Sequence, residues 1–224
     1  MSTPSNDSTE VAPVRGRSWI YRWIGLPISN GIARFIFLVL GPIRSKNSGR
    51  IPSTGGVLVL SNHLADADPI VVQVACRRPI HFMAKSELFQ IPILKRFLKF
   101  FGAFPVKRGA PDRASIKYAV QLLRAGEVVC VFPEGQLSED GKLQELKSGI
   151  ALLARMADCQ VICCGLENTN RIMPYGKLIP RPSWHCTWAK WGEATAFGKD
   201  TEAEEIIDWA EKQLRSLTDQ EAKA

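Results

Sequence analysis

The sequence predicts an α/β protein, a single layered domain with a central mixed sheet flanked by helices, preceded by an N-terminal amphipathic helical segment. Three observations carry that expectation. Short apolar runs alternate with longer stretches of helical period between residues 55 and 218. A chain of 224 residues with 46% hydrophobic content supports one substantial core. Residues 15–44 interleave aromatic and aliphatic side chains with arginines, ahead of the first clear strand.

Taken in order, "GGVLVLSN" (55–62) is a strand and "DPIVVQVAC" (68–76) a helix, with Asp68 as N-cap and Pro69 in the first helical position. "PIHFMAK" (79–85) is a second strand. "IPILKRFLKFFGAF" (91–104) places Leu94, Phe97, Leu98 and Phe101 on one helical face and Lys95, Arg96 and Lys99 on another. "PDRASIKYAVQLLRAG" (111–126) is a helix closed by Gly126, and "EVVCVF" (127–132) a strand. "LQELKSGIALLARMA" (143–157) has helical period, "QVICCGLEN" (160–168) is a strand, and "HCTWAKWGEA" (185–194) alternates with period two. The segment 200–218 is a helix with acids in its first turn and Lys212 and Arg215 late, as the helix dipole prefers. The expected division is a disordered tail (1–14), a membrane-associating helical segment (15–44), one domain (45–218) and a short tail (219–224).

The net charge of +7 favours an anionic partner: nucleic acid, an acidic membrane surface or a phosphorylated substrate. Nucleic acid fits least, because the basic residues cluster with aromatics that suit lipid. Trp19, Ile20, Trp23, Ile24, Leu26, Ile28 and Ile32 are interleaved with Arg15, Arg17, Arg22 and Arg34. Residues 91–104 repeat that basic-aromatic character. The longest uninterrupted apolar run, Phe35 to Ile43, is nine residues, short of the roughly twenty needed to span a bilayer. The expectation is peripheral or monotopic attachment without a span. No secretory signal is visible. The six cysteines contain no CxxC pair, and Cys76, Cys130 and Cys163 lie in apolar runs. That usage predicts a reducing compartment with no disulfide framework and no zinc. With only three histidines, a His-rich metal site is not expected. There is no GxSxG elbow, GxxxxGK[ST] loop or GxGxxG fingerprint.

Chemistry gathers instead at three strand ends. "LVLSNHLADADPIVV" (58–72) delivers His63 where a buried strand stops. By spacing, either Asp66 or Asp68 can accept its Nδ1–H and leave Nε2 as a base. "CVFPEGQLSEDG" puts Glu134 and Gly135 at a strand's carboxyl edge, where α/β ligands bind. "GAFPVKRG" (102–109) supplies Lys107, Arg108 and Gly109. Arginine grips phosphate bidentately, and a helix starting near Pro111 would add amide donors.

With these residues in place, the chain resembles the glycerolipid acyltransferases of the lysophosphatidic acid acyltransferase type. That family is marked by NHxxxxD, here "NHLADAD" from Asn62 to Asp68. It is marked too by an arginine-glycine block, here "FGAFPVKRG" (101–109), and by FPEG, here Phe132 to Gly135. The linking pieces "MAKSELFQIP" (83–92) and "LKSGIALLA" (146–154) match as well, so the resemblance covers about residues 52–165. It implies acyl transfer from acyl-CoA or acyl-carrier protein to a lysophospholipid hydroxyl, with the acceptor expected to be 1-acyl-glycerol-3-phosphate and the product phosphatidic acid. His63 would be the base and Asp68 its orienting partner. Asn62, Lys107, Arg108, Gly109, Glu134, Gly135 and Lys147 would form the substrate site. No cofactor or metal is implied. Membrane lipids are the implied surroundings, at the cytoplasmic face of the cell membrane. The chain departs from the family where Gln136 and Leu137 replace the usual Thr-Arg after FPEG, and where Cys163 replaces a proline. The missing arginine's role would fall to Arg108, Lys107 or Lys147. The alternatives are a different lysolipid acceptor, a thioesterase using water, and a non-catalytic lipid-binding protein.

Overall fold

The computed structural model describes residues 18–107, 112–177 and 179–220. Its eight-stranded sheet contains the five expected strands: β2 (Val57–Ser61), β3 (Ile80–Lys85), β5 (Val128–Val131), β6 (Gln160–Glu167) and β7 (Thr187–Trp191). Three shorter strands join them: β1 (Ile43–Lys46), β4 (Phe104–Val106) and β8 (Thr195–Ala196). The strand order is β1-β7-β6-β2-β5-β3-β4, with β8 on β6. Pairing is parallel except where β7 and β8 run antiparallel to β6, so the sheet is mixed. Pro105 lies in β4, which ends the sheet, where a missing N–H costs no ladder bond to a further strand.

Both faces of the sheet are covered. Every residue of β2 is buried, as a central strand between two helical layers requires. Leu58 and Leu60 pack with Leu122 of α4 (Arg113–Arg124), Ile150 of α5 (Gly149–Ala157) and Leu214 of α7 (Ala203–Leu217). Val57 and Val59 face the other way, against Val71 of α2 (Asp68–Ala75) and Phe37 of α1 (Leu26–Leu40). The start of β2 runs so close to the end of α4 that a Cβ on Gly56 would sit 2.1 Å from the Leu123 carbonyl oxygen. The carboxyl ends of β2, β3, β4, β5 and β6 share one edge, and the three chemically loaded turns open there.

Three expectations are corrected. The helix predicted over 143–157 begins only at Gly149. Its first stretch is drawn off because the Leu143 and Gln144 amides donate to Gln220 Oε1 and Glu134 Oε2, each at 2.8 Å, and the Lys147 amide donates to the Pro133 carbonyl at 2.9 Å. Asp68 is the first residue of α2 rather than its cap, and its carboxylate turns back to the preceding loop. The nine-residue ceiling on apolar length also fails. Tyr21–Leu40 forms one helical stretch of 20 residues, a π turn (Tyr21–Gly25) leading into α1, and its most apolar 18 residues have a mean hydropathy of 1.6. Counting uninterrupted apolar residues discards a helix interrupted only at Arg22, Ser29-Asn30 and Arg34. By length and composition, this stretch can cross a membrane.

The same stretch is fastened to the domain along its length. Arg22 pairs with Glu127, and the Tyr21 ring meets Phe100 of α3 (Pro92–Phe100) edge-on with centroids 5.4 Å apart. Arg34 Nη2 donates to the Val74 carbonyl at 3.0 Å, Phe37 is buried, and the Leu40 carbonyl accepts from the Ser183 amide at 2.7 Å. Trp19, Trp23, Ile28, Ile32, Phe35 and Val39 remain exposed on the outer face.

Candidate active site

The apolar run of β2 ends at Ser61, and the chain turns sharply through Asn62 to Ala67 before α2 begins. That turn is built around one carboxylate. Asp68 Oδ2 accepts from the Leu64 amide at 2.6 Å and the Ala65 amide at 2.9 Å, and it lies 2.9 Å from His63 Nδ1. Asp68 is 0% exposed. Asp66 points outward as an exposed residue, so geometry selects Asp68 as the imidazole's partner. A carboxylate at Nδ1 fixes the tautomer that leaves Nε2 as an acceptor. His63 keeps 8% side-chain exposure, and Nε2 is not among the described enclosed polar atoms that lack a partner.

The turn after β5 holds this loop from the other side. Glu134 Oε1 accepts the His63 amide at 2.7 Å, Glu134 Oε2 accepts the Gln144 amide, and the Ser138 amide donates to the His63 carbonyl at 2.8 Å. Burial pushes the Glu134 carboxyl up from its ordinary range, opposed by the two amides it accepts. Phe132 stacks on the imidazole, with ring centroids 4.0 Å apart and planes inclined by 16°. Gly135 adopts φ +72°, a left-handed turn that glycine tolerates without strain. Asn62 closes the third side. Its Oδ1 accepts the Leu166 amide at 2.7 Å and its Nδ2 donates to the Leu166 carbonyl at 3.0 Å.

The structure thus gathers His63, Asp68, Asn62 and Glu134 into one buried network. The carboxylate oxygens of Glu134 and the side-chain amide of Asn62, both expected at the substrate, are engaged by backbone groups. Lys107 and Lys147 are exposed, the latter beside Gly135. Arg108 and Gly109 lie outside the described residues. The amino end of α4 is not open to an anion as expected. Asp112 caps it, accepting from the Ser115 amide at 3.0 Å and the Lys107 amide at 2.8 Å. Partial burial opposes the Asp112 charge, but these amides, the Ser115 hydroxyl and the nearby Lys107 cation outweigh it and hold the carboxyl below its usual range.

A cavity of about 910 Å³ lies beside this edge, between α3, β4 and α4. Phe89, Phe104 and Tyr118 supply its apolar wall, and Lys95, Lys99 and Lys107 its cationic one. None of its lining residues belongs to the His63 or Glu134 turns. Sequence reasoning missed Phe132 as a ring partner, and Ser138, Gln144 and Leu166 as backbone anchors. Only Phe132 left a signal, since it begins the FPEG block. Among the described residues, no cluster of histidine, cysteine and acidic side chains could hold a metal ion. All six cysteines are free, and burial raises the Cys76 and Cys159 thiols to about 11. Such thiols are poor nucleophiles.

The layered α/β domain therefore carries a buried His–Asp pair at the carboxyl edge of its sheet, where α/β proteins bind ligands. The chain belongs to the acyltransferase family, whose model matches residues 42–167. It is 35% identical over 131 residues to the 1-acyl-sn-glycerol-3-phosphate acyltransferase of Bacillus subtilis, covering 58% of this chain and 64% of that one. The enzyme of the same name from Borreliella burgdorferi is 29% identical over 126 residues, covering 55% and 50%. The matched stretch spans less than two thirds of the length of these curated relatives. The crystal structure of the 1-acyl-sn-glycerophosphate (LPA) acyltransferase PlsC from Thermotoga maritima superposes with a TM-score of 0.75. It covers 91% of this chain and 82% of that one at 20% identity, a likeness of fold.

Proposed function

We propose that the protein transfers a fatty acyl group from a thioester, acyl-CoA or acyl-carrier protein, to the free hydroxyl of 1-acyl-glycerol-3-phosphate at a membrane surface. The observation that carries this reading is the 2.9 Å contact between His63 Nδ1 and a fully buried Asp68. His63 Nε2 takes the hydroxyl proton as the oxygen attacks the thioester carbonyl. Asp68 stabilises the imidazolium, the carbon–sulfur bond breaks, and the imidazolium returns its proton to the leaving thiolate. No acyl-enzyme forms, and the buried thiols take no part. The relatives' names favour the phosphate-bearing acceptor, and Lys107 with Arg108 would hold its phosphate. The 910 Å³ cavity has the size and apolar wall of a ligand pocket and would take an acyl chain.

The membrane reading follows from how α1 is held. A helix fastened to a folded domain from Arg22 to Leu40 cannot cross a bilayer without pulling polar protein surface into hydrocarbon. It lies in the headgroup layer, with its exposed tryptophans and aliphatics toward lipid. Incubation of the purified protein with acyl-CoA and, separately, with acyl-carrier protein, each with and without the lysolipid, tests the reaction. Thiol release that requires acceptor supports it. Release without acceptor means a thioesterase, and no release with either donor means a lipid-binding protein.

A further inference from the structure

We propose that the segment following α6 (Thr169–Ile172) is a second lipid-contact element, which docks on an anionic bilayer beside the catalytic edge. The inference rests on the bilayer reading of α1 given above. From Thr169 to Cys186 there is no Asp or Glu, while Arg171, Lys177 and Arg181 all occur. In the same stretch Trp184 is fully exposed and Ile179 is 82% exposed. Scattered apolar side chains on a surface need no explanation, but Trp184 continues an existing patch.

That continuity is fixed by backbone bonds. The Arg181 amide donates to the Ile172 carbonyl at 2.8 Å, the Ser183 amide to the Leu40 carbonyl at 2.7 Å, and Asn168 Nδ2 to the Cys186 carbonyl at 2.9 Å. Trp184 is thereby held next to the last turn of α1, where Leu38 and Val39 are exposed. The helix has a basic-aromatic flank at each end: α3, with Ile93, Lys95 and Lys99, beside its first turn, and this segment beside its last. Two such flanks on one helix suit an element lying flat at the headgroup level, where tryptophan and arginine both find their solvents. The position has a consequence for the reaction. The segment follows β6 through the short α6, a few residues after Leu166, which is hydrogen-bonded to Asn62, so a lipid contact here brings the edge carrying His63 to the bilayer. An acceptor and product that both reside in lipid then need not leave it.

The test is hydrogen exchange of the full chain, alone and with vesicles of phosphatidylcholine containing or lacking phosphatidylglycerol. Protection of 18–40 together with 171–186, greater with phosphatidylglycerol, supports the inference. Protection of 18–40 alone overturns it and leaves the bilayer reading of α1 standing, whereas protection of neither overturns both. Protection of 171–186 that grows with protein concentration in the absence of vesicles assigns the surface to a second copy of the chain and also overturns it. The double variant Trp184→Ala, Ile179→Ser should partition onto vesicles about five- to tenfold more weakly. Its turnover of vesicle-borne acceptor should fall in step, while that of a dissolved short-chain acceptor stays unchanged. Equal loss on both acceptors would overturn the assignment.

Discussion

Two buried histidines each face a carboxylate, at opposite edges of the same sheet. His63 and Asp68 lie at the carboxyl edge with 2.9 Å between Nδ1 and Oδ2, whereas His81 and Glu127 lie at the amino edge with 3.6 Å between Nε2 and Oε2. What separates them is their surroundings. Asp68 has no cationic side chain within ion-pair distance among the described residues, and it orients the imidazole while two amides hold it in place. Glu127 is already paired with Arg22, and His81 Nε2 is enclosed with no hydrogen-bond partner among the described residues. A histidine–carboxylate pair becomes a base when one nitrogen is held and the other faces a substrate. In the second pair Glu127 instead ties the π turn that precedes α1 to the sheet, through Arg22.

The sharpest way to break this comparison is to remove each imidazole. His63→Ala should lower acyl transfer by about 10²–10⁴-fold with an unchanged melting temperature, the usual range for general base catalysis. His81→Ala should do the reverse, lowering the melting temperature while the protein still turns over. Equal losses of turnover would mean that the two pairs do not differ in role. Asp68→Asn should follow His63→Ala, because a neutral amide oxygen in place of Oδ2 can still accept from the backbone but no longer stabilises a positive imidazolium. Asp66→Asn, on an exposed turn residue, should change kcat little.

Glu134 sharpens the comparison within the catalytic edge itself. Glu134→Ala leaves the His63 and Gln144 amides without acceptors, and each buried unpaired amide costs about 1–3 kcal/mol. Part of that cost appears as displacement of His63, so kcat should fall about tenfold to a hundredfold, at 1.4 kcal/mol per decade, with little change in the acceptor KM. A variant that raises acceptor KM and spares kcat would return Glu134 to the role of a direct ligand.

The parts of the site legible in the sequence were those set by local rules. Apolar period and strand-end position located His63, and spacing narrowed its partner to Asp66 or Asp68. What decided between them is the path of the turn, in which the Leu64 and Ala65 amides converge on a single carboxylate. The clasps of Asn62 on Leu166 and of Glu134 on His63 join residues far apart in the chain, 104 apart in one case and 71 in the other, and no periodicity announces them. The failed start of the 143–157 helix has the same origin, since amides captured by side chains elsewhere override a good local pattern. The apolar helix of α1 was misjudged for a simpler reason: hydropathy averages over a window, and isolated polar residues do not shorten the helix.

Acceptor recognition should show a smaller effect, confined to one substrate. Leu137 stands where the family usually has arginine, so Arg108 is expected to carry more of the phosphate contact. Arg108→Ala should raise the KM for a phosphate-bearing acceptor about tenfold, through loss of a charged hydrogen bond of about 1.5–3 kcal/mol. The KM for acyl-CoA should hardly move, and Leu137→Arg should restore part of the loss. Unchanged acceptor kinetics would place the phosphate elsewhere.

The smallest effect belongs to the structural pair and has a definite sign with pH. Burial opposes the charge on Glu127, but His81 and Arg22 outweigh it and hold the carboxyl below its ordinary range. A carboxyl depressed in the folded state contributes stability that is fully present above its unfolded value of about 4.3, and that contribution is lost as pH falls through the folded value. At neutral pH the clamp should therefore hold in full, and it should weaken only as pH falls below the ordinary carboxylate value of about 4.3 and through the depressed folded value. Arg22 is partly exposed, so water screens the pair and its contribution is at most about 1 kcal/mol. Glu127→Gln should then lower the melting temperature at pH 7 by about 2–4 °C, the shift expected per kcal/mol in a chain of this size. Hydrogen exchange over residues 18–26 should rise in wild type as the solution is acidified and should be raised already at neutral pH in Glu127→Gln. If both proteins show the same acid profile, Glu127 is not the group that anchors the helix, and the fastening falls to the Tyr21–Phe100 contact and the Arg34 hydrogen bond.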